Sequence, residues 1–408
     1  MSITNQPKDY QVLFLDMNSF FASVEQQVQP ALRGVPLGVA PYTGDTGCII
    51  AASREAKALG ISISRIGEAK KIYPQIKIIE ARPALYMIYH KEICKVIESF
   101  TPYFEALSID EFAIRLTPQD QNYFSSIKLA DELKRAILAR VGDWLTCSIG
   151  IGPSVFLAKV AGERHKPNGL TTVALKDLED FYSKLRLTDL VGINWRMEIR
   201  LKNFGIDSPL TFYKTSMGDL IQMLKHGGRL WYFRLRGHEV DDYIIKNKTI
   251  GHSHVLPPEF RTKEGALQVL RRLIFKAGYR IRKENYSAGG VAISINFVDR
   301  QGFQQSRKFA SFSDNDSFLK NAYEILKDCP WRSRPILVSV SAFNLVRRDG
   351  IQISIFADIE KSRRISEALD QVNDDYGADT IYPASTFQSR ETAPDRIPFG
   401  KPRYEILH

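Results

Sequence analysis

Two short apolar runs that end in acid set the tightest limit on how this chain can fold. Gln11-Val12-Leu13-Phe14-Leu15 leads into Asp16, and Phe104-Glu105-Ala106-Leu107-Ser108-Ile109 leads into the adjacent pair Asp110-Glu111. Both read as strands, the first buried and central, with its acid at the carboxyl end. Adjacent carboxylates raise each other's pKa, so a lone Asp-Glu pair is most simply a solvated strand-to-turn junction. A second acid in matching context changes that reading, because a divalent cation held between them removes the repulsion.

The elements around these acids alternate. After Asp16, the residues Phe20, Phe21 and Val24 recur at helical spacing, with Asn18 or Ser19 as a cap. One of the two phenylalanines packs in a core, and the other faces the space above Asp16. Leu37–Ala40 and 47–52 read as paired strands, followed by a short helix over 53–59 that carries Arg54 and Lys57 and stops at Gly60. Apolar residues at helical intervals mark Leu85 to Phe100 and Asp131 to Val141. Leu145 to Ile151 reads as a strand, and Val155 to Arg164 as a helix. Strand, helix, strand pair, helix, strand predicts a ferredoxin-like α/β layer with Asp16 and Asp110-Glu111 on neighbouring strands. Gly150-Ile151-Gly152-Pro153 superficially matches a dinucleotide fingerprint. Val155 stands where the third glycine belongs and Pro153 removes an amide, so it reads as a tight turn. Lys159 and Lys166 follow as point charges suited to phosphate.

At 408 residues the chain holds two to four domains, and a net charge of +10 favours a polyanionic partner. Lys246 to Lys308 holds thirteen Lys/Arg against four Asp/Glu, with Arg271, Arg272, Lys276, Arg280, Arg282 and Lys283 near one helix. That balance predicts a basic α+β module tracking a phosphate backbone. Upstream, Leu190-Val191-Gly192-Ile193-Asn194 and Leu201 to Ile206 suggest a helix-hairpin-helix whose turn amides grip a DNA phosphate. Asn194 stands at a usual glycine position of that motif. Four scattered cysteines argue against a disulfide framework and for a reducing cytosol. No apolar run has membrane-spanning length, so no membrane partner is expected, and with the cysteine usage a cytoplasmic location is the expectation. Glu360 to Val372 reads as an amphipathic helix, Asp379 to Tyr382 as a short strand, and the residues from Phe387 as loosely ordered.

Asp16-Met17-Asn18-Ser19-Phe20-Phe21-Ala22-Ser23-Val24-Glu25, Ser53 to Gly60, Ser108-Ile109-Asp110-Glu111, and Ala158 to Gly169 together resemble the Y-family of translesion DNA polymerases, in its polymerase IV and polymerase V branch. The resemblance implies a multidomain α+β right hand. Its ferredoxin-like palm would take 1–19 and 81–173, small fingers 20–80, a helical thumb with the hairpin 174–243, an α+β little finger 246–346, and a tail 347–408. It implies catalytic acids Asp16, Asp110 and Glu111, which with the Met17 carbonyl hold two Mg2+ ions. It implies Phe21 as a steric gate against the 2′-hydroxyl, and Phe20, Phe21, Arg54, Lys57 and Lys166 as nucleotide contacts. Gly192, Ile193, Asn194, Arg271, Arg272, Lys276 and Arg280 would meet DNA. The implied partners of this monomer are primer-template DNA, a dNTP and a sliding clamp. Gln352-Ile353-Ser354-Ile355-Phe356 looks like a clamp-binding pentapeptide.

Members of the polymerase IV branch usually carry Thr, Tyr and Arg where this chain has Ala51, Arg54 and Lys57, so hydroxyl contacts to the triphosphate are exchanged for charge. Asn18 replaces a frequent aspartate that is not a metal ligand in the family, and activity is expected to survive it. The expected function is low-fidelity, template-directed synthesis across damaged DNA by nucleotidyl transfer. A non-catalytic clamp- and DNA-binding accessory is the alternative, and retention of three acids argues against it. A nucleotide cyclase is disfavoured by the long basic C-terminal half.

Overall fold

The computed structural model describes residues 6–240, 249–348 and 357–393. They fall into two compact units, one before and one after the segment 241–248.

The first unit is built on strand β1 (Val12–Met17), every residue of which is buried. Helix α1 (Phe20–Val28) follows, then β2 (Leu37–Ala40), β3 (Ala51–Ala52), α2 (Arg54–Ala58), α3 (Ile66–Ile72) and β4 (Lys77–Glu80). Next come α4 (Pro83–Glu98), β5 (Phe104–Ala106), β6 (Glu111–Arg115), α5 (Tyr123–Arg140), β7 (Cys147–Gly152), α6 (Val155–Glu163) and β8 (Leu170–Thr172). One sheet has the order β5-β6-β1-β7-β8, and β2, β3 and β4 form a small separate one. Read as β7-β1-β6-β5, the large sheet has the ferredoxin-like order expected from the alternation of elements, with β8 added in parallel beside β7. Its central strand is buried on both faces, which is why β1 reads as an apolar run unbroken until Asp16.

Two local expectations are corrected. The acid pair does not close the run from Phe104. That strand stops at Ala106, the backbone turns, and Leu107 N–H donates to Glu111 O (2.9 Å) so that Glu111 opens β6. Gly150 lies inside β7, as the strand reading of Leu145 to Ile151 has it, so the tight turn expected over the glycine-rich stretch is confined to the residues after Gly152. A Cβ at Gly150 would meet the Ala158 carbonyl oxygen at 1.9 Å and the Gly162 nitrogen at 2.4 Å, so glycine is what lets α6 lie directly on the sheet. That close approach brings Lys159 of α6 to Glu111 at the start of β6.

Short helices complete the unit: α7 (Leu178–Ser183), α8 (Trp195–Lys202), α9 (Pro209–Lys214), α10 (Met217–Leu224) and α11 (His226–Arg234). Gly192, at φ +94°, turns the chain into α8, and the Asn194 side chain accepts from Met197 N–H. Asn194 is therefore a helix N-cap, a role glycine fills less well.

The second unit holds β9 (Thr249–Val255), α12 (Lys263–Lys283), β10 (Tyr286–Phe297), β11 (Gly302–Phe312), α13 (Asn315–Leu326), β12 (Pro335–Arg347) and α14 (Ala357–Tyr376). Its antiparallel sheet has the order β11-β10-β12-β9, and α12 and α13 pack on one face through Val269, Leu273, Phe318, Val291, Ile293 and Val340. Asp379 to Tyr382 is not a strand. Asp379 takes a left-handed φ of +63°, and the chain then enters a 3-10 helix over Ala384–Ser389. The pentapeptide Gln352–Phe356 lies outside the described residues. Among the described residues no helix is long and apolar enough to cross a membrane.

Candidate active site

β1 ends with Asp16 directly opposite Glu111 of β6. Met17 N–H then donates to the Asp110 carbonyl (2.9 Å) and Asn18 N–H to the Thr146 carbonyl (2.9 Å), so the strand end is held from both sides. Backbone pairing brings the three acids together. Their side chains are each answered locally. Lys166 reaches Asp16 at 2.9 Å and Glu163 at 2.5 Å, Lys159 donates to both Glu111 oxygens (2.7 and 2.9 Å), and Ser108 donates to Asp110 Oδ1 at 2.6 Å.

Burial is the dominant electrostatic fact. It pushes the Asp16 carboxyl up to about 7, and the Lys166 charge offsets this only in part while Asp110 and Glu163 add to it. Asp110 is raised as well, by burial first and by Glu111, against the Ser108 hydrogen bond. Lys166 shows the converse. Burial would lower it, but Asp16 and Glu163 outweigh that and hold it above its ordinary value. Lys57 is solvent-exposed in area, yet enough protein surrounds its ammonium for desolvation, followed by repulsion from Lys166, to lower it.

Among the described residues no three acidic or imidazole side chains are already arranged as a metal cage. The donor set nevertheless fits a hard divalent cation. It consists of carboxylate oxygens with a carbonyl nearby, and two of the acids sit where burial disfavours their own charge. This is a stability cost carried by the metal-free protein. Asp16 takes up its proton near pH 7 when folded and near 3.8 when unfolded, so stability falls as pH rises between those values and levels off above. Asp16→Asn should therefore melt higher than wild type at pH 8 in chelator, by about 1–3 kcal/mol, with the gain shrinking below pH 7. A melting difference that does not change with pH would contradict this account.

Asn18 is 5% exposed and acts as a knot. Its amide donates to Ser148 Oγ (2.9 Å), while its oxygen accepts from Asn168 N–H (2.8 Å) and Thr146 Oγ1 (3.2 Å). An aspartate has no donor for Ser148, which gives a physical reason for asparagine at this place.

Phe20 and Phe21 are both buried, 3% and 7% exposed. The sequence led us to expect one of them in an open space. Instead the Phe21 ring stacks on Tyr86, centroids 4.4 Å apart and planes 16° from parallel. Tyr86 is pinned in turn, its hydroxyl donating to Glu25 Oε1 at 2.8 Å, and the fully buried Glu25 is paired with Arg82. Burial and the Glu25 carboxylate hold the Tyr86 phenol far above its ordinary pKa, so it stays a donor. The stack contributes about 0.5–1.5 kcal/mol beyond burial. Tyr86, Glu25 and Arg82 were missed as a unit. Glu25 lies one helical turn beyond Phe21 and was the available signal.

Arg54 lies over the Trp144 ring, and Lys57 follows one turn later on α2. In the helix-hairpin-helix, Ile193 is buried, which leaves its backbone and that of Gly192 for any contact. The cationic row on α12 is not the open face the sequence suggested. Arg272 is 8% exposed and bonds both oxygens of Asp379 (3.1 and 2.8 Å) and the Thr392 carbonyl (2.7 Å). Lys276 donates to the Ala393 carbonyl (2.7 Å), Arg271 to the Tyr323 hydroxyl, and Arg280 to the Gly251 carbonyl (3.3 Å). These charges are answered inside the unit, and a phosphate would have to displace those partners. The sheet face away from α12 is different. Ser253, Ser339, Ser294 and Gln304 form one cross-strand row, and Gly251, Ser341, Ala292 and Ser306 the next, with Lys308 beyond. Period-two alternation of small polar residues was the signal for this surface.

The fold and the site define a class before any particular relative. Solved structures with this fold include a Y-family DNA polymerase chimera (TM-score 0.71, 24% identity, 82% of this chain and 99% of that one). The insertion ternary complex of Dbh DNA polymerase shares it as well (TM-score 0.57, 24% identity, the same coverage). Residues 15–163 match the impB/mucB/samB family, and 247–355 match the C-terminal domain of that family. DNA polymerase IV of Moorella thermoacetica is 33% identical over 387 residues, covering 92% of this chain and 96% of that protein. DNA polymerase IV of Oceanobacillus iheyensis is 28% identical over 403 residues, covering 96% and 95%. The chain belongs to the Y-family of translesion DNA polymerases. It is a DNA-directed DNA polymerase whose reaction is template-directed synthesis across damaged DNA, in a family of metal-dependent nucleotidyltransferases that bind DNA and dNTP.

Proposed function

We propose that Asp16, Asp110 and Glu111, with the Met17 carbonyl, hold two magnesium ions at which a primer 3′-hydroxyl is joined to an incoming dNTP. The observation that carries this reading is the register of Asp16 against Glu111, with Met17 N–H bonded to the Asp110 carbonyl: three acids brought to one sheet edge at an electrostatic cost. Bound magnesium supplies the charge that activates the attacking hydroxyl and stabilises the leaving pyrophosphate. Lys166, poised on Asp16, meets the triphosphate, and Arg54 and Lys57 approach it from α2. Primer extension in magnesium tests the reading: DNA binding without incorporation by the wild-type chain would favour the accessory role instead.

Phe20 and Phe21 lie against the incoming nucleotide, and Phe21 gates the sugar, its ring held flat by Tyr86 so that a 2′-hydroxyl meets an aromatic face that cannot retreat. Relieving a steric overlap of about 1–3 kcal/mol predicts that Phe21→Ala raises ribonucleotide incorporation by up to ~10²-fold relative to dNTP. Unchanged sugar discrimination would remove Phe21 from that role.

Residues 1–19 and 81–173 are proposed as palm, 20–80 as fingers, 174–243 as thumb and 246–346 as little finger. The turn Gly192-Ile193-Asn194 contributes backbone amides to a DNA phosphate. The serine-rich open face of the β9–β12 sheet meets DNA closely, since small side chains let a backbone approach. The pentapeptide Gln352–Phe356 is proposed to bind a sliding clamp. Its deletion should remove stimulation by the clamp and spare synthesis without it, which a primer-extension assay with and without clamp reads directly. The enzyme is proposed to act as a monomer in the cytoplasm, in keeping with four free cysteines.

A further inference from the structure

Arg54 opens α2, and among the described residues it makes no salt bridge. Its guanidinium carbon lies 5.1 Å from the centroid of the Trp144 ring. Arg33 lies at the same 5.1 Å from that ring, but its charge is already paired. It bonds both oxygens of Asp143 (3.0 and 2.8 Å), and its Nε reaches the Gln26 carbonyl (3.3 Å).

Trp144 cannot drift. Its backbone N–H donates to Gln27 Oε1 (2.8 Å) and its indole N–H to Gln26 Oε1 (2.9 Å). The Gln26 amide donates to the Leu32 carbonyl (3.0 Å) and to Glu55 Oε2 (3.1 Å), the residue next to Arg54. The ring is therefore tied both to the end of α1 and, through Glu55, back to α2. Two residues further on, Thr146 holds Asn18 by backbone and side chain, so the same segment is anchored at the strand end that carries Asp16. Lys57, three residues beyond Arg54 and near the same helix face, is within electrostatic reach of Lys166, Asp16 and Asp110. Lys57 thus lies within reach of the acids proposed to hold metal, about one helical turn along α2 from Arg54.

A guanidinium held over an aromatic ring spends none of its N–H donors on a carboxylate, and a phosphate takes two of them in parallel. A carboxylate partner would have spent them. An aromatic face does not.

We propose that Trp144 is a positioning residue for nucleotide selection, holding Arg54 by a cation–π contact so that its N–H donors take the terminal phosphate of the incoming triphosphate. The charge of Arg54 thereby does the work of the hydroxyl groups that the family usually presents where this chain has Ala51 and Arg54. The inference rests on the reading of α2 as the triphosphate-facing helix, and Trp144 itself touches neither substrate nor metal.

The test is pre-steady-state primer extension at saturating primer-template, with wild type, Arg54→Ala, Trp144→Phe, Trp144→Leu and the double variant Arg54→Ala/Trp144→Leu. Each is measured for dNTP affinity and maximal rate separately, with competition by dNDP as a probe that lacks the terminal phosphate. A stacking contribution of this kind predicts that Trp144→Leu weakens dNTP binding roughly three- to tenfold. The maximal rate and dNDP binding should change little. Trp144→Phe, which keeps an aromatic face and loses the indole N–H, should stay near wild type. In the Arg54→Ala background, Trp144→Leu should add nothing. Three results would overturn the proposal: a further loss in that background, equal losses for dNTP and dNDP, or a Trp144→Phe variant as weak as Trp144→Leu. Failure of the polymerase reading itself is distinguishable, because wild type would then incorporate no nucleotide at all.

Discussion

Asp110→Ala is expected to abolish primer extension while leaving DNA affinity within about twofold of wild type. The substitution keeps the backbone carbonyl that accepts from Met17 N–H, so the strand pairing that assembles the site survives. It removes a half-buried carboxylate whose side-chain partner here is the Ser108 hydroxyl, and desolvation already disfavours its charge, so the fold should tolerate the loss. What disappears is one of the three carboxylates proposed to hold metal. A rate loss of at least ~10³-fold is expected, equivalent to ~4 kcal/mol of transition-state stabilisation. Single-turnover extension alongside equilibrium DNA binding separates the two effects. Extension near the wild-type rate, or a parallel collapse of DNA binding, would show that Asp110 belongs to the structure and not to the chemistry.

Asp370→Ala should destabilise the second unit by about 2–3 kcal/mol, although Asp370 belongs to none of the motifs that carry the resemblance to the family. Asp370 on α14 bonds Arg282 Nε and Nη2 at 2.5 and 2.8 Å, and the Arg282 side chain is only 3% exposed. Removing the carboxylate leaves a guanidinium under α14 with the Ser313 carbonyl and Asn315 as its remaining partners. The Asp370 side chain is 19% exposed, so water replaces part of the loss and the expected cost lies below that of a fully enclosed pair. Thermal or denaturant unfolding of Asp370→Ala, Arg282→Met and the double variant checks this. The double variant should recover much of the loss, because no charge is then left without a counter-ion. Additive losses would mean that the pair does not act as a unit.

This second case marks where sequence reasoning reached its limit. The cations of α12 were legible as a cluster, and their number pointed correctly to a basic module. Their use was not legible. Arg272 and Arg282 find their carboxylates at Asp379 and Asp370, 107 and 88 residues on, in a stretch that reads as an ordinary polar helix and tail. The same holds for Asn18, whose partners Ser148 and Asn168 are 130 and 150 residues away. Gly150, legible as part of a strand, is the point where helix and strand backbones touch, a contact that nothing local shows.

The acids themselves were legible. An apolar run closing on Asp16 and another leading to Asp110-Glu111 carry the strand signal and the acids that the fold brings together, and the alternation of elements carries the sheet order. Periodicity and residue type are local properties, and a chain displays them whether or not it is folded. Which donor meets which acceptor is a property of distant segments brought into register. That is why Lys159 on Glu111, Lys166 on Asp16, Tyr86 beneath Phe21 and Trp144 behind Arg54 emerged only when the sheet and its helices were packed.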